Sequence, residues 1–223
     1  MIYEKASSGA GDEKELFRDV KQNMVPTSWS RDGRFLLYHT TTGTGTTTPT
    51  DDLWVLPLEG DRKSVQLLAT KFNERSASFS PDGRWIAYKS DETGRWEIYV
   101  RPFVASGPSG APSLGEGKWP ISKDGAAHVP TDPAAGFPHW RVDGKEILFG
   151  GPNGAVMAVD VNTSGGAYQP FGVPKKLFTM QPNVGAWTVT RDGKKFLAPV
   201  AQATDGSPTP ITVILNWRAE LNR

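Results

Sequence analysis

The 223-residue chain contains no cysteine, which removes disulfides, thiolate nucleophiles and cysteine-based zinc sites together and leaves the redox compartment open. Histidine is scarce. His39, His128 and His139 stand far apart with no His-x-x-x-His pair, so a surface or internally satisfied role is expected and no metal or cofactor is assigned. An excess of charge is also missing: 25 Lys plus Arg against 24 Asp plus Glu leave a net charge of +1. A nucleic-acid or polybasic membrane role needs a concentrated positive field, and that balance argues against both. No window approaches eighteen uninterrupted apolar residues, so no spanning helix is expected. The opening residues Met1–Lys5 show no basic stretch followed by an apolar run, so no signal peptide is expected either. Stretches with helical periodicity are few.

Gly (24) and Pro (18) are plentiful instead, and they punctuate short apolar runs as in a strand-and-turn protein. In Ala77–Tyr88, Pro81 presets φ, Asp82 can bond its own backbone and Gly83 tolerates positive φ, so the segment reads as strand, tight turn, strand. The pattern recurs. Asp32-Gly33, Asp82-Gly83, Asp143-Gly144 and Asp192-Gly193 each follow an apolar residue three places before the Asp (Trp29, Phe79, Trp140, Val189) and precede a base (Arg34, Arg84, Lys145, Lys194). The intervals are 82−32 = 50, 143−82 = 61 and 192−143 = 49 residues.

Further strand-like runs follow each hairpin: Asp52–Leu56 and Val65–Leu68, Glu97–Val100 and Lys118–Ile121, Val156–Val159 and Lys176–Phe178, then Ile211–Leu215. Four short strands per repeat, arranged radially, make the blade of a β-propeller. The expected fold is therefore all-β, a single domain of about four to five four-stranded antiparallel blades. Its parts are a half blade over 1–20 and repeats over 25–70, 72–122, 137–179 and 186–217. The half blade consists of Ile2–Lys5 and Glu15–Phe17. Either Glu15–Phe17 pairs beside Ile211–Leu215 and closes the ring, or two open edges remain that a second copy could cover as a homodimer. Thr40–Asp51 and Val104–Gly136 read as long loops.

The stretch Ser78–Tyr88 resembles the repeat unit of TolB-like, WD-repeat-like propellers. Asp52-Leu53-Trp54, Phe72-Asn73-Glu74, Glu97–Phe103 and the closing Leu215–Leu221 are similar to the C-terminal propeller region of bacterial membrane-anchored serine/threonine protein kinases. That resemblance implies sensing or scaffolding and an extracytoplasmic location. Kinase activity does not follow, because no Gly-rich loop, His-Arg-Asp or Asp-Phe-Gly is present.

The Asp-Gly turns each offer one carboxylate without calcium-loop spacing, which marks them as structural turns. No Gly-x-Ser-x-Gly elbow is present, and Ser106–Gly110 lies in a loop without strand–turn–helix context. Most of the eight tryptophans fall at repeat positions and are expected in the core, with Trp96 and Trp187 off the pattern as candidates for exposed contact. In a propeller the loops after second and fourth strands share one face, which nominates Asn73, Glu74, Arg75, Glu92, Arg95, Asn153 and Asn183 as binding residues. The expected function is a non-catalytic module that recognises a protein, peptide or small ligand. The alternatives are a hydrolase or lyase with its site at the channel mouth, and an assembly unit completed by strand exchange.

Overall fold

Each Asp-Gly turn is closed by side chains of its own repeat. In the second, Ser80 Oγ accepts the Trp85 N–H at 3.0 Å and donates to Asp82 Oδ1 at 2.6 Å, and that oxygen also accepts the Arg84 N–H at 3.1 Å. The same relay runs through Ser30 and Asp32 in the first turn and through Thr190 and Asp192 in the fourth. Gly83 sits at φ 70°, where an L-residue with a Cβ is strained, and its three counterparts lie between 70° and 77°. These turns are therefore held by bonds within their own repeat.

The computed structural model describes residues 1–20, 23–42, 50–127, 136–163, 170–180, 187–199 and 213–215. Strands β1 (Ile2–Glu4) and β2 (Lys14–Phe17) pair antiparallel as the half blade. The first full sheet runs β3 (Asn23–Trp29), β4 (Phe35–Thr42), β5 (Thr50–Pro57), β6 (Val65–Leu68), paired in that order. The second holds β7 (Glu74–Phe79), β8 (Trp85–Ser90) and β9 (Glu97–Val104), with β10 (Ser113–Leu114) and β11 (Trp119–Pro120) side by side along the outer edge of β9. The third is β12 (His139–Trp140), β13 (Glu146–Gly150), β14 (Ala155–Asp160), β15 (Lys175–Thr179). A three-stranded sheet follows, β16 (Thr188–Val189), β17 (Lys195–Leu197), β18 (Val213–Leu215). The all-β architecture of antiparallel blades is as expected. Among the described strands β2 pairs with β1 and β18 with β17, and no pairing joins the first sheet to the last.

Within the long segment Val104–Gly136, β11 falls on the expected run Lys118–Ile121, while β10 is sheet where only loop was expected. Gly117, at φ 90°, breaks the outer edge of the second blade into β10 and β11, so its fourth strand is delivered in two pieces. Residues 128–135, including His128, lie outside the described residues.

Strand alternation gives blades one to three two apolar faces each, and one cluster fills each seam. Leu36, Tyr38 and Leu56 pack with Ile2 and Leu16 of the half blade. Phe35, Leu37, Leu53 and Val55 meet Ala77, Phe79, Ile86, Tyr88 and Phe103 across the next seam. Ala87, Ile98 and Val100 face Ile147, Phe149 and Val159, and Leu148, Val156 and Ala158 face Phe196. In the first-to-second seam the Phe103 ring meets both Phe79 and Phe35 edge to face, at 5.1 and 5.3 Å, contacts worth about 0.5–1.5 kcal/mol each beyond burial.

Hydrogen bonds also stitch the innermost strands. Phe79 N–H donates to Ser28 Oγ at 3.2 Å, Ser78 Oγ donates to the Pro138 carbonyl at 2.8 Å, and Val142 N–H donates to the Arg191 carbonyl at 2.8 Å. Blades one to four are thereby joined in sequence around a common centre.

Candidate functional site

Two faces compete for function. The face opposite the Asp-Gly turns carries the loops after the second and fourth strands. There Asn73 binds Asp91 through its backbone N–H (2.9 Å) and Nδ2 (2.5 Å), while its Oδ1 accepts the Asp51 N–H at 3.2 Å. Arg75 pairs with Asp51 at 3.4 Å and lies over the Trp96 ring at 4.2 Å. A bulge between Arg75 and Ser78, with Ser76 left-handed at φ 56°, sets that direction. Lys89, fully buried, approaches the same ring at 5.3 Å and donates to the Ala127 carbonyl at 2.7 Å. Trp96 is thus half-buried between cations, and Trp187 packs at a tilt against His139 at 4.9 Å and Phe196 at 5.4 Å, so both are packing residues where exposed contact was expected.

Glu74 is buried at 1% exposure, holds Thr70 by its N–H and hydroxyl, and has its carboxyl pushed up by that burial. Arg95 donates to Glu97 at 2.6 Å and to the Lys123 carbonyl, and Glu92 pairs with Lys118 at 2.6 Å. Asn153, left-handed at φ 54°, lines a separate 470 Å³ cavity with Met157, Lys123 and Lys176. Asn183 lies outside the described residues. Asn73 and Arg75 therefore come together around Asp51 and Asp91, while Asn153 stands apart on the third blade.

His39 and His139 are not surface residues. His39 is 3% exposed, its Nδ1 has no partner among the described residues, and burial first, then Arg75, pulls its pKa down to about 4 against the pull of Asp51. Burial likewise takes His139 to about 4. Both imidazoles are neutral near pH 7.

The turn face holds the more accessible concavity. Each of β3, β7, β12 and β16 ends its sheet, so it pairs on one side only and turns its other edge inward. Residues of all four strands line one 460 Å³ cavity, including Trp29, Phe79, His139 and Val189, with Arg31 and Arg191 from the turns. A 630 Å³ cavity adjoins it between the second and third turns and shares Arg31, Ser80, Pro81, Trp140 and Val142 with it. Trp29 is 49% exposed, and its indole N–H donates to the Gly33 carbonyl at 3.2 Å, which pins the ring against its own turn. The expectation of a core role fails for this tryptophan, because an innermost strand turns one set of side chains toward the centre. The inner-strand signal that could have marked the cleft is the bulky residue three places before each Asp.

The third turn departs from the others. Arg141 replaces the serine or threonine and donates through Nε and Nη2 to Asp143 at 2.8 and 2.9 Å and through Nη1 to Glu146 at 2.9 Å. That guanidinium holds the Asp143 carboxyl down at about 2. Asp32 and Asp192 are lowered chiefly by their hydroxyl partners, and in Asp82 the bonds from Ser80 and Arg84 outweigh a larger opposing effect of burial.

The chain matches no protein-family model and no curated protein. Among solved structures it is similar to TolB from Acinetobacter baumannii, at TM-score 0.56 and 17% identity over 86% of this chain and 40% of that one. An oligogalacturonate lyase from Vibrio parahaemolyticus aligns at TM-score 0.58 and 12% identity, over 92% and 55% of the two chains. A puromycin hydrolase aligns at TM-score 0.54 and 18% identity, over 86% and 27%. The chain thus spans about a quarter to a half of the length of these structures. A likeness at these identities is one of fold, and by it the sheets form an arc of a TolB-like β-propeller.

Proposed function

We propose that the chain is a recognition module whose turn-face cleft takes an extended segment of a protein or peptide partner. The observation that carries this reading is the meeting of four inner strand edges around one 460 Å³ cavity floored by the half-exposed Trp29 ring. The longer of these edges, β3 and β7, run over seven and six residues and present backbone groups at the spacing an added strand can use, and an aromatic ring supplies apolar area beside them. The sensing or scaffolding role implied by the resemblance to kinase-associated propellers, with its extracytoplasmic location, is consistent with such a module. The loop-face residues Asn73, Glu74, Arg75, Glu92 and Arg95 support it from behind by fixing loops to one another.

The test is selection of peptides from a displayed random library on the intact chain, with Trp29→Ala as counter-selection. Peptides that bind the native chain and lose binding to the variant support the reading, and a library with no Trp29-dependent binders overturns it. Catalysis at the same cleft is the competing reading. It is favoured by His139, a neutral imidazole lining the cavity, and by the hydrolase and lyase among the structural neighbours. Turnover that disappears in His139→Gln would install it.

A further inference from the structure

Four cations lie along the joined cavities: Arg31, Arg84, Lys145 and Arg191. The carboxylates beside them, Asp82 and Asp143, are already occupied. Asp82 holds Ser80 and pairs with Arg84 at 2.7 Å, and Asp143 holds Arg141. Arg31 and Arg191 are exposed, and among the described residues neither guanidinium has a hydrogen-bond or ion-pair partner. Among the described residues Lys145 has no carboxylate within ion-pair distance, although Asp143 is near enough to be stabilised by it. Cations without an ion-pair partner among the described residues therefore stand on three separate turns, of blades one, three and four, although the whole chain carries only +1.

On that basis we infer that the segment taken by the cleft, if the recognition reading above holds, is acidic: an extended peptide with carboxylates spaced along it. Charge spread over three turns matches anionic groups distributed along a chain better than a single compact anion. Guanidinium forks favour carboxylates geometrically, and two arginines frame the aromatic floor. The open strand edges select a peptide among polyanions, because a peptide can pair its own N–H and C=O groups with them while its alternate side chains reach the cations.

The test uses the intact chain and a fluorescein-labelled peptide in which glutamate alternates with alanine, read by anisotropy at low and at moderate salt. The controls are the same peptide with glutamine for glutamate, an oligogalacturonate and a single-stranded oligonucleotide. The acidic peptide is expected to bind at least about tenfold more tightly than the glutamine peptide. It should weaken as salt rises, and weaken by about tenfold in the Arg31→Gln/Arg191→Gln double variant. Both side chains are exposed and unpaired, so an unchanged melting temperature verifies that this variant folds. Equal binding of the two peptides, both dependent on Trp29, overturns the acidic class and leaves peptide recognition standing. Absence of any Trp29-dependent peptide binding overturns both. Tighter, arginine-dependent binding of the oligogalacturonate or the oligonucleotide overturns the peptide and assigns the cleft to another polyanion.

Discussion

Arg141 grips Asp143 with two N–H groups, at 2.8 and 2.9 Å, in the one turn of four that has no hydroxyl two residues before its aspartate. An ion pair has taken over the donor half of a task that Ser30, Ser80 and Thr190 perform with a single oxygen, since a guanidinium cannot accept the backbone N–H that those hydroxyls also hold. The same guanidinium reaches Glu146, whose side chain is 8% exposed, so it also neutralises a nearly buried carboxylate.

Arg141→Ala is expected to cost about 1.5–3 kcal/mol, the range for hydrogen bonds to charged groups. Arg141→Ser should recover part of this by rebuilding the hydroxyl relay. Urea midpoints of the two variants decide the matter, and a serine variant no more stable than the alanine variant would show that the relay does not transfer.

Ser80→Ala removes the acceptor of the Trp85 N–H and one donor to Asp82, with an expected cost of about 1–3 kcal/mol. Ser80→Thr keeps both bonds, as Thr190 does in the fourth turn, and should stay near native stability. Thermal melts that rank the two variants equally would contradict the relay.

Acid should act in two stages. His39 and His139 have pKa values of about 4 in the fold against an ordinary 6.5, so the unfolded chain gains protons first and stability drains as pH falls from 6.5 toward 4. Asp143 and its three counterparts are depressed, so their contribution is present above the ordinary carboxylate range and is lost as pH falls through it, toward about 2 for Asp143. Melting temperatures of a His39→Gln/His139→Gln double variant should lose the fall seen in the native chain across the upper window, and the raised Glu74 and Asp52 carboxyls should then make stability rise as pH drops toward their range. A slope equal to that of the native chain would place the effect elsewhere.

Gly83 has open space where a Cβ would go, so substitution there is limited by backbone conformation alone. Gly83→Val should cost at least about 1 kcal/mol and Gly83→Asn less, since asparagine tolerates the left-handed region. Indistinguishable unfolding midpoints would mean that the turn relaxes to negative φ.

The blades were legible in the sequence because their signals are local: an Asp-Gly pair, a base after it and an apolar residue before it lie within a few residues of one another. The cleft was not, because Trp29, Arg31, His139 and Arg191 come from repeats that only the stacking of blades unites. Polarity nominated Asn73, Glu74, Arg75, Glu92 and Arg95 as binding residues, but polarity is silent on whether a charge faces water or another charge. Arg75 faces Asp51 and Trp96, and Glu92 faces Lys118. In the second blade the run Lys118–Ile121 announced β11, but β10 was hidden because its two residues are too short to show alternation.

No blade owns a core. Each apolar cluster is held in common by two neighbours, so the heritable unit of this architecture is the seam as much as the repeat. A second blade duplicated beside the original would keep the seams to the first and third blades and add one new seam, in which the Ala87 face of one copy meets the Ala77 face of the other. Such an insertion would widen the central opening by one strand edge, so gain of a blade and change of ligand size would come from a single genetic event.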